Sequence, residues 1–213
     1  MTIKQRYDAV LDIFGRTMPG ADSELLYGSE FQLLVAVVLS AQCTDKRVNL
    51  VTPSLFGEYP DAATMSGATT DEILRHISSV SYPNSKAAHL VALSQKIMSD
   101  FDGVVPRDRE GLESLPGVGR KTANVMLAVA FGQPAMPVDT HVFRVAERIG
   151  LTTGSKSPRQ TEDMLCRHIP PQLQGKAHHW LLLHGRYTCT ARKPQCGDCA
   201  LTQACRHYAK NAK

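Results

Sequence analysis

Four cysteines close to the C-terminal end of the chain have the type and spacing of a metal or cluster site. They are Cys189, Cys196, Cys199 and Cys205, in the pattern C-x6-C-x2-C-x5-C. A zinc ion and an iron–sulfur cluster can each be bound by four thiolates. Zinc sites usually combine two closely spaced pairs, whereas only Cys196 and Cys199 are closely spaced here. The residues alone leave both groups open.

A second candidate site is the segment LPGVGRKT at residues 115–122, hereafter the hairpin segment. Its glycines, Gly117 and Gly119, can take positive φ angles, so the turn can aim successive backbone N–H groups outward. A helix expected directly after the turn adds unpaired N–H donors and the positive end of its dipole. This combination is typical of a phosphate-binding site, although an ordinary turn between two helices has a similar composition.

Lys121 and Asp139 are candidate catalytic residues. Lys121 lies in the first turn of the expected helix, where the positive dipole end disfavours an ammonium and should lower its pKa, as an amine nucleophile requires. A lysine that only contacts phosphate is the alternative. Asp139 precedes another expected helix, where aspartate is a favoured N-cap. A carboxylate there can also stabilise positive charge that develops on a substrate.

The elements that must position these residues are predicted to be helices. Apolar residues recur at helical spacing between Tyr7 and Phe14, and residues 31–41 are apolar all round, as in a buried helix. The other predicted helical segments are 72–80, 86–101, 121–131, 141–149, 160–168 and 178–185. Proline and glycine separate these segments, and alternating strands with tight turns are not evident. The sequence therefore predicts an all-α protein.

Composition and charge exclude several classes of protein. The 213 residues, 43% of them hydrophobic, suffice for one large domain or two small ones. No apolar run approaches the roughly 18 residues that span a bilayer, and the N-terminal segment lacks the apolar stretch of a secretory signal. We expect a cytoplasmic protein, in which clustered cysteines bind metal more readily than they form disulfides. The net charge of +4 identifies no partner, but residues 186–213 contain six basic residues against one acidic residue.

The hairpin segment is similar to the helix-hairpin-helix of the endonuclease III family of DNA glycosylases. The likeness extends along nearly the whole chain, because further motifs follow in the order of the family. They are LSAQ at 39–42, NSKA at 84–87, VDTH at 138–141, HWL at 179–181, HGR at 184–186 and the four cysteines. Each motif is weak alone, whereas their ordered combination is specific.

The resemblance implies an all-α fold with two helical domains flanking a DNA-binding cleft. A six-helix domain, residues 23–133, would carry the helix-hairpin-helix. A discontinuous domain, residues 1–22 and 134–213, would end in a [4Fe–4S] cluster loop at 189–205, hereafter the cysteine loop, with the four cysteines as ligands. Lys121 would be the nucleophile and Asp139 the second catalytic residue, facing each other across the cleft.

The implied activity is bifunctional base-excision repair. The enzyme would extrude an oxidised pyrimidine of the thymine glycol type from damaged double-stranded DNA and remove it. A Schiff base on Lys121 would then allow β-elimination, which cleaves the strand 3′ to the abasic site. We expect a monomer with no obligate protein partner and no membrane association.

The resemblance also implies a set of DNA contacts. Gln42 would fill the gap left by the flipped base. Tyr82 stands where typical members of the family carry an intercalating leucine; a tyrosine can stack on bases, and Pro83 stiffens its loop. The remaining expected contacts are Leu115, Gly117, Val118, Gly119, Arg120 and Thr122 in the hairpin segment, His141, and Arg192 and Lys193 in the cysteine loop.

Two other functions remain open at this point. A monofunctional adenine glycosylase of the same superfamily shares the hairpin and the cluster, but typically lacks the hairpin lysine and has an additional C-terminal domain. This sequence has Lys121 and ends eight residues after Cys205. A non-catalytic iron–sulfur DNA-binding protein would need neither Lys121 nor Asp139. Cleavage of duplexes with thymine glycol or an abasic site discriminates between these functions.

Overall fold

The computed structural model describes residues 1–211, and every regular element in this part of the chain is helical. The all-α class predicted from the sequence is therefore confirmed. The chain divides into two compact units, one formed by Glu24–Phe131 and the other by Met1–Ser23 together with the residues from Gly132 onward. None of the described helices combines the length and the hydropathy needed to cross a membrane.

The connections between the helices vary in length, and the longest, residues 188–205, contains the cysteine loop. The α-helices are α1 (Ile3–Thr17), α2 (Glu30–Ser40), α3 (Asp45–Glu58), α4 (Ala62–Ser66), α5 (Thr70–Ile77), α6 (Pro83–Asp100), α7 (Arg109–Ser114), α8 (Arg120–Val125), α9 (Thr140–Ile149), α10 (Pro158–His168), α11 (Gln174–Tyr187) and α12 (Arg206–Asn211). A π-helical turn, Met126–Ala130, extends α8, and a short 3-10 helix, Pro171–Leu173, precedes α11.

Most of these helices begin at a side-chain cap. Thr2 and Thr69 form capping boxes at the starts of α1 and α5, which pair two otherwise unsatisfied N–H groups at each helix. In contrast, α6 and α8 begin at Tyr82 and Gly119 without any side-chain cap. Both of these residues are among the predicted DNA contacts.

The unit Glu24–Phe131 is built around α2. All residues of α2 from Leu33 to Leu39 are buried, and α3, α6 and α8 pack against this helix. A helix enclosed in this way must be apolar on every face, which is why residues 31–41 show no polar stripe. Each buried leucine or valine contributes roughly 1.5–3 kcal/mol to folding. The hairpin segment is thus attached to a firm apolar core.

The other unit has a separate core, which joins α1 to helices from the C-terminal part of the chain. The ring of Phe14 stacks on Trp180 at 6.1 Å, and Trp180 Nε1 donates to the carbonyl of Met18 at 2.9 Å. Tyr7 Oη donates to the carbonyl of Leu151 at 2.8 Å. Leu201 in the cysteine loop is buried in the same core, so one end of this loop is anchored by apolar packing.

The sequence-based prediction lacks α3, α4, α7 and α12 and does not include the division of one predicted helix. Helix α3 was not predicted, because the polar run that starts at Gln42 and the internal Pro53 obscure its periodicity. Its buried residues, Val48, Val51, Thr52 and Leu55, nevertheless have helical spacing. The helix predicted at 121–131 is divided into α8 and the π-helical turn, and such turns often lie at functional sites.

Candidate functional site

The turn of the hairpin segment requires glycine at position 117. Gly117 has φ = 78°, and a Cβ on it would lie 2.9 Å from Cβ of His89. Backbone conformation and available space therefore both exclude a side chain. Buried Leu115 and Val118 anchor the turn, and the N–H of Val118 donates to the carbonyl of Leu115 at 3.1 Å.

Gly119 has a different role from the one expected. Its φ is −98°, an ordinary extended value, so the expectation that this glycine uses a positive φ is wrong. Among residues 1–211, no atom outside Gly119 and its chain neighbours lies within 4 Å of a Cβ built at this position. Gly119 is the N-cap of α8, and without a side chain it leaves the positive end of this helix open to an anion.

Lys121 is half-buried in the first turn of α8, as the sequence predicted. A polar network ties this helix to α7. Glu113 lies 3.9 Å from the guanidinium of Arg120 and 3.7 Å from that of Arg109, and Arg109 also donates to the buried amide of Asn124. The network fixes the orientation of α8, on which Lys121 stands.

Asp139 is the N-cap of α9, where its Oδ1 accepts a hydrogen bond from the N–H of Val142 at 2.8 Å. The side chain is half-buried. His141 follows in the first turn, and its Nδ1 lies 3.3 Å from Nη2 of Arg144. The capping bond orients one carboxylate oxygen, so the structural role that aspartate favours at this position is present.

Gln42 and Tyr82 lie on connected turns of the Glu24–Phe131 unit. Gln42 follows α2 and is exposed, and Tyr82, which precedes α6, is 65% exposed. The hydroxyl of Ser81 donates to the carbonyl of Gln42 at 2.7 Å and so joins the two turns. The sequence does not indicate this role of Ser81, because 39 positions separate Ser81 from its partner, Gln42.

The four predicted cysteine ligands line one pocket, together with residues such as His184 and Leu201. Nitrogen donors surround the sulfur atoms. Nη1 of Arg148 lies 3.5 Å from Sγ of Cys189, and the N–H of Tyr208 lies 3.4 Å from Sγ of Cys205. Within residues 1–211, no group of three or more His, Cys, Asp or Glu side chains is arranged to hold a metal ion. Four sulfur donors around one pocket fit a multinuclear group, which takes one thiolate at each iron.

Burial and the neighbouring cysteines oppose ionisation of the Cys199 thiol. Burial raises the pKa of the Cys199 thiol; a backbone hydrogen bond from Leu201 opposes this increase, and the three neighbouring cysteines add to it. Burial also lowers the pKa of His184, 3.8 Å from Cys199, to about 4. This ring is therefore neutral at pH 7 and adds no positive charge to the pocket.

Arginines of α9 hold the backbone of the cysteine loop. Arg148 donates to the carbonyls of Thr190 and Ala191 at 2.7 and 2.8 Å. Arg144 donates to the carbonyls of Gly185 and Cys189 at 2.8 and 3.3 Å. Neither arginine was identified as a candidate from the sequence, although a spacing of four residues on a helix places both side chains on one face.

The predicted basic contacts of the cysteine loop, Arg192 and Lys193, are both exposed. The hydroxyl of Thr190 donates to the carbonyl of Lys193 at 2.7 Å, which shapes the turn that carries them. Of the other basic residues at this end of the chain, Lys213 lies outside the described residues.

Comparisons with known proteins agree on one family. Residues 35–171 match the model of the HhH-GPD superfamily of base excision DNA repair proteins. The chain is 47% identical to endonuclease III of Rickettsia felis, over 96% of this chain and 95% of the relative. It is 43% identical to endonuclease III of Escherichia coli K12, over 90% of each chain. A solved structure of a trapped endonuclease III–DNA covalent intermediate, an estranged-adenine complex, superposes with a TM-score of 0.94 at 41% identity over 100% of both chains.

Proposed function

The chain belongs to the endonuclease III family within the HhH-GPD superfamily, and we propose that it excises oxidised pyrimidines from double-stranded DNA and then cleaves the strand 3′ to the abasic site. Membership makes it a base-excision-repair DNA glycosylase and confirms the family inferred from the motifs. The observation that carries the finer proposal is the position of Lys121, in the first turn of α8 directly after the turn formed by Gly117.

The hairpin segment supports binding to a DNA phosphate. Gly117 turns the chain so that the backbone leads into the uncapped start of α8, where the helix dipole favours an anion. The likeness to a solved endonuclease III–DNA complex supports DNA as the source of this phosphate. Such contacts position the duplex without reading its sequence.

Lys121 and Asp139 are proposed to divide the chemistry. The amine of Lys121 attacks C1′ of the deoxyribose, and the base departs with the electrons of the glycosidic bond. Opening of the sugar ring and loss of the amine proton give a Schiff base. Removal of a C2′ proton then expels the 3′ phosphate, and water releases the enzyme. The carboxylate of Asp139, oriented by its bond to Val142, stabilises positive charge on the sugar.

Cys189, Cys196, Cys199 and Cys205 are proposed to hold a [4Fe–4S] cluster. The shared pocket and the nitrogen donors around the sulfur atoms support this assignment. When bound, the cluster supplies iron cations that compensate the thiolates and cross-links four points of the loop. Exposed Arg192 and Lys193 then lie on an ordered turn, from which they contact DNA phosphates.

Reduction with borohydride tests the proposed chemistry. Wild-type protein should form a covalent adduct with a duplex that carries thymine glycol, whereas Lys121→Ala should form none. Lys96→Ala is the matched control, since Lys96 lies on α6 and pairs with Asp100. An adduct of normal yield with Lys121→Ala would refute the assignment, and DNA binding by wild type without strand cleavage would favour a non-catalytic protein. Sedimentation on the same duplex tests the expected monomer.

A further inference from the structure

Two of the proposed DNA contacts have a backbone conformation that their residue types disfavour. Within residues 1–211, the non-glycine residues with positive φ are Gln42 at 54°, Tyr82 at 56° and Asp102 at 51°. Aspartate tolerates this left-handed region, whereas glutamine and tyrosine seldom adopt it. Such residues persist only where their surroundings hold them, and they cluster at functional sites. The contacts that hold Gln42 and Tyr82 are therefore informative.

The first of these contacts comes from Ser81, the residue before Tyr82. Its hydroxyl donates to the carbonyl of Gln42 at 2.7 Å. The acceptor is the backbone of one left-handed residue, and the donor is the immediate neighbour of the other. The two turns are thus directly bonded, although Ser81 itself is only half-buried.

The second contact is made by Lys86, which is 6% exposed. Its Nζ donates to the carbonyls of Leu39 and Ala41 at 2.8 and 2.7 Å, just before Gln42. Its backbone N–H donates to the carbonyl of Tyr82 at 3.1 Å. The bond to Tyr82 is the first backbone bond of α6, which any residue except proline forms at this position, so the side chain of Lys86 acts by joining the start of α6 to the chain just before Gln42.

Helix capping alone does not account for this lysine. A cation does suit the last carbonyls of α2, which lie at the negative end of the helix dipole. However, Ala41, which accepts one of the two bonds, is the residue after α2 and directly precedes Gln42, so the ammonium holds the turn as well as the end of the helix. Burial of an ammonium is costly unless its protons are bonded. At Lys86 the two bonds of Nζ offset this cost, and they join the start of α6 to the turn after α2.

We propose that Lys86 is a positioning residue which, with Ser81, joins the turn after α2 and the start of α6 into one preformed unit that presents Gln42 and Tyr82 to the duplex. The inference rests on the proposed function, because it assumes that both side chains enter the DNA when the damaged base leaves. Since both turns are ordered before DNA binds, base extrusion does not bear the entropy cost of ordering them.

A double-mutant cycle tests this role. We would measure single-turnover release of thymine glycol from a duplex by Lys86→Met, once in wild type and once in a Gln42→Ala/Tyr82→Ala background. If Lys86 acts through those two side chains, its substitution slows release roughly tenfold in wild type and has almost no further effect in the second background. Lys96→Met, the same substitution elsewhere on α6, should leave the rate unchanged.

A milder variant keeps the test decisive if Lys86→Met does not fold. Ser81→Ala removes one half-buried hydroxyl and should slow release roughly threefold in wild type, again with almost no loss in the Gln42→Ala/Tyr82→Ala background. Lys86→Arg, which retains donors, should recover part of the rate lost in Lys86→Met. Equal losses in both backgrounds would overturn the inference and leave the proposed function intact. Failure of wild type to release the base would overturn the proposed function, and the inference with it.

Discussion

The hairpin segment and the cysteine loop are held by different kinds of interaction. The hairpin segment connects two helices, buries Leu115 and Val118, and turns at one left-handed glycine, Gly117. Residues 189–205 contain no helix or strand. Their backbone is held by side chains from distant positions, above all Arg148, and by the four thiols that surround one pocket.

Because they are held by different interactions, the hairpin segment and the cysteine loop should respond differently to the same perturbation. The shape of the hairpin segment is determined by local backbone geometry and by an apolar core, both of which are complete in the polypeptide. The cysteine loop buries little apolar surface apart from residues such as Leu201, so we expect its order to depend on polar contacts and on the cluster proposed for its thiols. Four substitutions test this comparison.

Loss of a cysteine ligand should separate the two regions most strongly. In Cys199→Ser, hydrogen exchange at the amides of Gln195 and Ala204 should accelerate by roughly 100-fold, because the loop loses a cross-link that its own packing does not replace. Both amides donate to backbone carbonyls in the ordered loop. Exchange at Val118 in the hairpin segment should change little.

Cys166→Ser is the matched control for this experiment, since Cys166 is a half-buried cysteine of α10 outside the pocket. It should leave exchange in the cysteine loop unchanged. Equal acceleration at Val118 and Gln195 in Cys199→Ser would show that the two regions unfold together, and the contrast between them would then be incorrect.

Substitution of the two glycines of the hairpin segment should show how far its stability depends on local backbone geometry. Gly117→Ala places a Cβ 2.9 Å from His89 on a left-handed backbone, and we expect a loss of about 2–3 kcal/mol in the free energy of unfolding. Gly119→Ala, with an extended backbone and open space, should change it by less than about 0.5 kcal/mol. Urea denaturation measures both values, and similar losses would contradict the assigned geometry.

Removal of Arg148 should weaken the cysteine loop by a smaller amount than loss of a cysteine. Arg148→Met leaves the carbonyls of Thr190 and Ala191 without their charged donor, for which we expect a loss of about 1–2 kcal/mol. Water reaches the exposed Ala191 and replaces part of the interaction. Iron content and thermal unfolding followed by visible absorption would measure the effect.

The control for this variant is Arg159→Met. Arg159 is an exposed arginine whose ion pairs with Glu162 and Asp163 lie within α10. Surface pairs of this kind contribute roughly 0–1 kcal/mol. If Arg148→Met proved as mild as this control, the four thiols alone would account for the order of the loop.

The same contrast explains how far the sequence could predict the structure. The segment LPGVG contains its own turn residues, so the turn, its left-handed Gly117 and the helix after it followed from residues next to one another, whereas the short helix α7 before the turn did not. The conformation of Gly119 did not, since glycine permits several φ values and only its surroundings select one. Helix α3 was missed although its buried residues are correctly spaced, because Pro53 and a polar start masked the pattern.

The contacts that were not predicted are long-range in sequence. Arg148 reaches Thr190 across 42 positions, and Lys86 reaches Leu39 across 47. A single sequence contains the donors but does not indicate which distant carbonyls the fold brings to them. The cysteine spacing was informative because the chemistry of the ligands, rather than the fold, determines which residues must come together.

The smallest expected effect is a loss of stability at acid pH in the unit that contains the cysteine loop. Burial lowers the pKa of His179, which Lys176 and Arg186 lower further, whereas Asp22 and a hydrogen bond from the ring to the backbone carbonyl of Gly175 partly raise it. The unfolded chain therefore binds a proton near pH 6.5 that the folded chain does not bind until lower pH. Stability from this source is complete above pH 6.5 and declines as the pH falls toward the pKa of the folded state.

We expect the midpoint of thermal unfolding of wild type to decrease between pH 7.5 and pH 5.5, and to decrease less in His179→Asn, because asparagine does not titrate. The relevant quantity is the difference between the two pH values within each protein, so that loss of packing in the variant cancels. An identical decrease in wild type and His179→Asn would show that other groups dominate the acid response of the unit that contains the cysteine loop.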